Sequence, residues 1–403
     1  MHSERIHYFD WLRVLAVAGV VLFHAALPFA NVGWWVSNVN GSDALKAAAP
    51  LVDAFGLALL FLLAGASARF ALKKRSTLAF LKERSRRLAV PFVVAFPFVV
   101  LPVGYVTAIA SGLVSGSFLD FLAAWPDLTW KWLQAIGASP RVFDIGQHLW
   151  FLGFLFVFAL LGIPIFRFLS STRGKSWTEA IARASRVPGS TLFVAVPIAA
   201  VVLPLYRVTP FVHDWWSFGF YGITFLAGYL IYSDPRLTFA ARRDFPVALT
   251  VAVLASGVLI ASQFTSWSLA FASGPRAVDA TYFFMLILYV ISGWSWTLAL
   301  LGIGMRAPLM QRPLPAAVSE MAMPAYILHM PIVVAATFFV VALPFGLLVK
   351  IGLSLAVSAA GTIAVSAIAT RVGILRRMLG LHAKARKVTG VSGSHRGAKP
   401  LPA

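Results

Sequence analysis

Three histidines interrupt stretches of sequence that are otherwise apolar: His24, His148 and His329. Neutral imidazole can take a proton or carry an acyl group near neutral pH, because its unperturbed pKa lies at about 6.5. His24 follows Asp10-Trp11-Leu12-Arg13 after ten uncharged residues. On a helix, eleven residues at ~100° each return to within about 20° of the starting face and rise about 16 Å. Arg13 and His24 therefore share one stripe. That spacing suits a substrate whose anionic head is held at one surface while its reactive end reaches inward. His329 stands in Tyr326-Ile327-Leu328-His329-Met330-Pro331, where the proline frees a backbone carbonyl nearby. His148 opens Gln147-His148-Leu149-Trp150-Phe151. Any one of these histidines fits a hydrogen-bonded packing role, but three ionisable rings in apolar segments point to a site. They are not at metal-ligand spacing within one helix and there is no His-Glu-x-x-His, so no metal is expected.

The elements that must position them are membrane helices. Of 403 residues 60% are hydrophobic and 12% charged, far below the roughly one quarter of charged residues in a soluble domain. The mean hydropathy is +0.83. Ten uncharged or nearly uncharged stretches fall within Val14–Ser42, Ala47–Ala68, Leu88–Leu119, Ile145–Phe166, Val187–Tyr206, Trp215–Ser233, Phe245–Pro275, Ala280–Met305, Met321–Val349 and Ile351–Thr370. Each is long enough to cross a bilayer, which takes about 17 to 25 residues. They lack the ten-residue alternation of a barrel. The expectation is an all-α polytopic membrane bundle of about ten transmembrane helices, the first of them retained and not cleaved as a signal peptide. There is no cysteine, which excludes disulfides and thiolate chemistry.

The net charge of +20 is distributed by side. Across ten alternating spans, 28 of the 34 Lys and Arg residues fall on the side that holds both termini, so the positive-inside rule places the N- and C-termini in the cytosol. Basic charge is thereby assigned to topology and anionic lipid, and nucleic acid is not expected as a partner. Residues 1–370 read as the transmembrane domain and 371–403 as a basic cytosolic tail. Val372, Leu375, Leu379 and His382 would share one face of a short interfacial helix, with a Gly/Ser/Lys/Pro composition after about residue 388 that favours disorder. Trp125, Trp130 and Trp132 read as an amphipathic segment at the outer interface. Gly302-Ile303-Gly304-Met305-Arg306-Ala307 and Gly174-Lys175-Ser176 lack the strand–helix context and spacing of nucleotide-binding loops.

Five blocks, in unchanged order over residues 5–380, carry a resemblance. They are Asp10-Trp11-Leu12-Arg13 with the gap to His24, Phe61-Leu62-Leu63-Ala64-Gly65-Ala66-Ser67, the basic run Phe80 to Leu88 before Pro91, His148-Leu149-Trp150-Phe151-Leu152 and Ala325 to Pro331. Together they resemble the integral-membrane acyltransferase-3 family, and within it the glucan biosynthesis protein C branch, the succinyltransferases of periplasmic glucans. The branch carries a second histidine before the proline of the last block, where this chain has Met330.

The resemblance implies a ten-helix enzyme of the bacterial inner membrane. Such an enzyme moves an acyl group, succinyl or acetyl, from cytosolic acyl-CoA to a hydroxyl of an extracytoplasmic glycan. Acyl-CoA is then a co-substrate and no cofactor is bound. Matching positions give Arg13 and His24 as essential, with Arg69, Arg84 and Arg87 gripping the donor phosphates. His24, His329 and Tyr326 are expected at the chemistry, and His148 and Trp150 on the acceptor side. The rival reading is a transporter or flippase of an acylated or glycosylated small molecule, since midplane histidines also suit proton coupling. Against it, the halves show no evident repeat and the spans lack buried acidic residues.

Overall fold

The structure is a computed structural model, and it describes residues 6–32, 34–135, 144–208, 215–265 and 280–381. Among these the secondary structure is entirely helical. Helix α1 is His7–Ala26, α2 Asp43–Gly56, α3 Ala58–Lys74 and α4 Thr77–Ala110. Then follow α5 Phe118–Ala135, α6 Trp150–Ser170, α7 Thr172–Ala184, α8 Ala195–Val208 and α9 Trp215–Ile231. The chain continues through α10 Pro235–Arg243, α11 Phe245–Ser262, α12 Ala280–Arg306, α13 Ala316–Val341, α14 Leu347–Ala369 and α15 Gly373–Met378.

Seven helical segments are long and apolar enough to cross a membrane: His7–Phe29, Thr77–Ala110, Gln147–Ser170, Phe245–Ser262, Ala280–Arg306, Ala316–Val341 and Leu347–Ala369. The other three of the ten expected spans are shorter, 17 residues in α3, 14 in α8 and 17 in α9. The second stretch, Ala47–Ala68, is not one helix. It breaks between α2 and α3 at Leu57, directly after Gly56, a residue with poor helix propensity. The long α4 is continuous but carries π-turns at Ser85–Ala89 and Phe96–Val100. Pro91 and Pro102 follow these turns, and their missing N–H groups interrupt the ordinary ladder.

Two packings frame the first helix. On one side α1 lies against α13 and α14, which pair with each other; on the other it touches α2, α3 and α12. Helix α3 crosses α9 with backbones in near contact. A Cβ placed on Gly65 would stand 1.8 Å from the Phe225 carbonyl oxygen, and one on Gly228 2.0 Å from that of Leu62. Without a hydrophobic drive between helices in lipid, small residues at a crossing provide the close van der Waals contact. The contact also fixes Ser67 and Arg69, which follow Gly65 within one turn.

Away from the bilayer core, Asp244 joins α10 to α11. Its carboxylate accepts from Thr191 N (3.1 Å), Thr191 Oγ1 (2.8 Å) and Arg243 Nε (2.7 Å). Burial alone pushes this carboxyl up, but the hydrogen bonds from Arg243, Gly189 and Thr191 outweigh it and hold the pKa below the usual value. The tail begins on the bundle surface. Arg376 is 4% exposed, donates to Glu320 Oε2 at 2.9 Å and to the Thr370 carbonyl at 2.7 Å, and Leu379 is buried. His382 and the segment beyond residue 388 lie outside the described residues, as do the side chains of Trp130 and Trp132. Trp125 packs edge-on against Phe121.

The α3–α9 crossing has a direct test. Gly65→Leu must push the helices apart against backbone atoms, a cost at or above the 1–3 kcal/mol typical of overpacking. The variant should be lost from the monodisperse peak in detergent gel filtration, whereas Gly257→Leu, where a new Cβ meets nothing within 4 Å, should elute like the parent.

Candidate active site

Helix α13 carries the centre of the site in a single turn. Pro331 has no N–H, so the carbonyl of Ile327, four residues earlier, lacks its helical donor. His148 Nε2 donates to that carbonyl at 3.1 Å. The Tyr326 hydroxyl in turn donates to the His148 carbonyl oxygen. His148 is placed for this by a sharp turn at Gln147, whose φ of 43° is left-handed, just before α6 begins at Trp150. A non-glycine residue is uncommon there, and the strain is offset only by surrounding structure.

His329 Nδ1 lies 2.7 Å from the Tyr326 carbonyl, and its Nε2 lies 3.0 Å from His24 Nδ1. A carbonyl only accepts, so Nδ1 of His329 bears the hydrogen. With one N–H per ring, Nε2 of His329 then accepts from Nδ1–H of His24. In that tautomer Nε2 of His24 is an acceptor. This ordering of tautomers begins at a backbone carbonyl and ends on a ring at the end of α1.

The three histidines thus converge from α1, α13 and the turn before α6. The His24 and His329 ring centroids are 5.1 Å apart, and those of His148 and His329 5.3 Å. His329 is fully buried and His148 6% exposed, while His24 is half-buried. The loop after α1 folds back over the group. Trp34 stacks on His24 at 5.5 Å with 18° between planes, and Val36 is buried with Val103, Met330 and Val334. Buried polar atoms here include Trp34 Nε1, Gln147 Oε1 and His148 Nδ1, none with a hydrogen-bond partner among the described residues. Among the described residues no group of three His, Asp or Glu side chains is arranged to hold a metal ion.

At the other end of α1, Arg13 donates to Ser67 Oγ at 2.6 Å, which itself donates to the Leu63 carbonyl at 2.7 Å. Asp10 lies 3.4 Å from Arg13 Nη1. Arg84 stands over the ring of Phe80 at 5.0 Å and lies within electrostatic range of Glu83, Arg87, Arg13 and Arg75. Arg87 pairs with Glu83 at 3.5 Å from within the first π-turn of α4. Arg13, Arg84 and Arg87 therefore form one cationic field. Arg69 turns elsewhere, over Tyr229 of α9 at 5.8 Å. Trp150 is buried in an aromatic cluster with Phe154 (4.9 Å), Tyr221 (5.4 Å) and Phe61 (6.1 Å). Four residues of the site had no role in the sequence reading: Ser67, Trp34, Gln147 and Asp10. Ser67 ends one of the recurring blocks and Asp10 begins another, which is the signal that pointed to them.

A cationic field at one end of α1 and an ordered imidazole pair at the other thus make up the candidate site of a helical protein with several segments long and apolar enough to cross a membrane. Residues 6–371 match the acyltransferase domain that defines the acyltransferase-3 family. The chain belongs to that family and is an acyltransferase. No curated protein and no solved structure matches it.

The exchange between Pro331 and His148 can be measured. His148→Ala should leave the Ile327 carbonyl unpaired and cost about 1–3 kcal/mol. Adding Pro331→Ala restores an N–H four residues along, so the double variant should recover part of that loss in thermal unfolding. Additive losses would break the assignment.

Proposed function

We propose that the protein takes an acyl group from cytosolic acyl-CoA and places it on a hydroxyl of an extracytoplasmic glycan or related acceptor. The observation that carries this reading is the hydrogen bond from His24 Nδ1 to His329 Nε2, which makes Nε2 of His24 the proton-accepting atom of its ring. In this reading His24 Nε2 removes the acceptor hydroxyl proton as the oxygen attacks the thioester carbonyl. The C–S bond then breaks, the ester forms, and the proton passes to the departing CoA sulfur. Positive charge growing on His24 is shared with His329 and faces the C-terminal end of α1, where cations are favoured. Trp34 Nε1, a buried donor beside the ring, is the group best placed for the thioester oxyanion. The Tyr326 hydroxyl, expected at the chemistry, donates to the His148 carbonyl. It positions His148, and the His148 Nδ1 lone pair serves the acceptor side.

Arg13, about 16 Å from His24 along α1, grips the CoA phosphates together with Arg84 and Arg87 of α4. Arg69 joins that grip only by turning away from Tyr229. This places both termini and the arginines on the cytosolic face of the inner membrane, with ten crossings if α3, α8 and α9 also span. The one-sided distribution of basic residues supports it. The likeness to glucan biosynthesis protein C supports a glycan acceptor and brings acetyl and succinyl as candidate acyl groups.

A reporter fused after residue 390 should be active only in the cytosol; one active only outside would overturn this orientation. In the second test, His24→Asn should fold and bind acyl-CoA yet transfer at below roughly 1% of the parent rate, since loss of a base costs 10²- to 10⁴-fold. Arg13→Ala should raise the KM for acyl-CoA, and Lys should restore it only in part, because a point charge lacks the planar fork. His24→Asn with near-parental CoA release would remove this residue from the chemistry.

A further inference from the structure

We infer that the acyl group delivered to His24 is an uncharged hydrocarbon chain, held along α1 in an apolar slot bounded by Gly19 and Gly56. This rests on the acyl-transfer reading of His24 and deepens it to a substrate class.

A cavity of about 320 Å³ lies between α1, α2, the start of α3 and α12, within the size range of small-molecule pockets. It follows α1 from Leu12 to His24, about 18 Å of helix. Phe23, Phe55 and Leu300 are among its walls, and among the described residues His24 is the only polar side chain that lines it. The slot is open because side chains are missing. A Cβ on Gly19 or on Gly56 would meet nothing within 4 Å, whereas one on Gly304, a turn away in α12, would stand 2.7 Å from Leu12. Close packing resumes immediately beside the slot.

Its position separates two parts of one donor. Arg13 faces Ser67 of α3 and the cationic field, and it is not part of the slot. The slot occupies the neighbouring flank of α1, and the two flanks meet at His24. A donor gripped by its phosphates near Arg13 can bring its thioester to His24 and fold its acyl tail back beside Gly19. The pantetheine arm itself is a poor occupant, because its amides would find no partner among these walls. So is a succinyl group, whose carboxylate would be buried without a cation. A hydrocarbon chain leaves nothing unpaired. Leu15 and Gly19 are exposed on the open side of the slot, so a bilayer lipid tail is the competing occupant. The acyl tail is favoured because the slot ends on the histidine that is hydrogen-bonded to His329.

The test uses the full-length protein in lipid nanodiscs with a glucose oligosaccharide acceptor and a donor series of acetyl-, butyryl-, octanoyl-, dodecanoyl- and succinyl-CoA. Free CoA release gives kcat/KM for each, and native mass spectrometry reports retained phospholipid. Each added methylene should raise kcat/KM about fourfold until the slot is full. Succinyl-CoA should fall at least about tenfold below butyryl-CoA, which has the same number of carbons. Gly19→Leu should lower the octanoyl-to-acetyl ratio by about tenfold or more, and Gly56→Leu should do the same from the opposite wall. Gly257→Leu, on the open face of α11, should leave the ratio as it is. Two results overturn the inference while leaving acyl transfer intact: flat chain-length dependence, or phospholipid lost from Gly19→Leu with donor preference unchanged. CoA release with none of these donors would sink the acyl-transfer reading itself.

Discussion

The structure depends on one unmet hydrogen bond. Pro331 cannot donate to the Ile327 carbonyl, and Ile327 is fully buried. His148 Nε2–H fills the position, and Tyr326 fastens the same segment from the other direction through the His148 carbonyl. One residue earlier, the Tyr326 carbonyl accepts from His329 Nδ1. A single turn of α13 thus fixes two imidazoles of the site and the hydrogen-bond direction of a third. The strained Gln147 turn is the cost of bringing His148 there.

The order of protons follows from that turn. Because a carbonyl can only accept, the choice of tautomer at His329 is made by backbone, and His24 inherits it through the 3.0 Å contact. In the proposed chemistry, backbone carbonyls do what a buried carboxylate would do beside a histidine, without adding a charge that lipid would penalise. The opposite end of α1 follows another rule. There the arginines are concentrated, Arg87 sits within a π-turn, and Glu83 and Asp10 partly compensate the charge. Arg13 and His24 are kept about 16 Å apart on one helix.

Much of this was legible in the sequence because it is local. Arg13 and His24 share a face by helical period alone, and the proline after His329 announces a freed carbonyl. The partner of that carbonyl was not legible, since His148 is 179 residues away and reaches it only through the packing of α6 on its neighbours. Hydropathy recovered the apolar stretches but not their division. The break at Leu57 follows one glycine, and α3, α8 and α9 are shorter than the apolar runs they overlap. Trp150 adjoins the histidine motif in sequence, yet α6 turns its ring into the aromatic cluster around Phe61 and Tyr221. Neighbours in a helix start need not share a site.

Glycine shows why composition alone cannot locate function in such a chain. Gly65 and Gly228 lie where a side chain has no room, and they serve a crossing of backbones. Gly19 and Gly56 have the same identity and lie in equally apolar surroundings, but a side chain there would meet empty space. Only the second pair lines a cavity that reaches His24. In hydrocarbon a gap between helices gains nothing from water release, and its lining forfeits dispersion contacts that leucines would supply. A gap kept beside a reactive ring, flanked by packing as close as that of Gly304 on Leu12, is therefore better explained by a substrate that fills it than by slack in the fold.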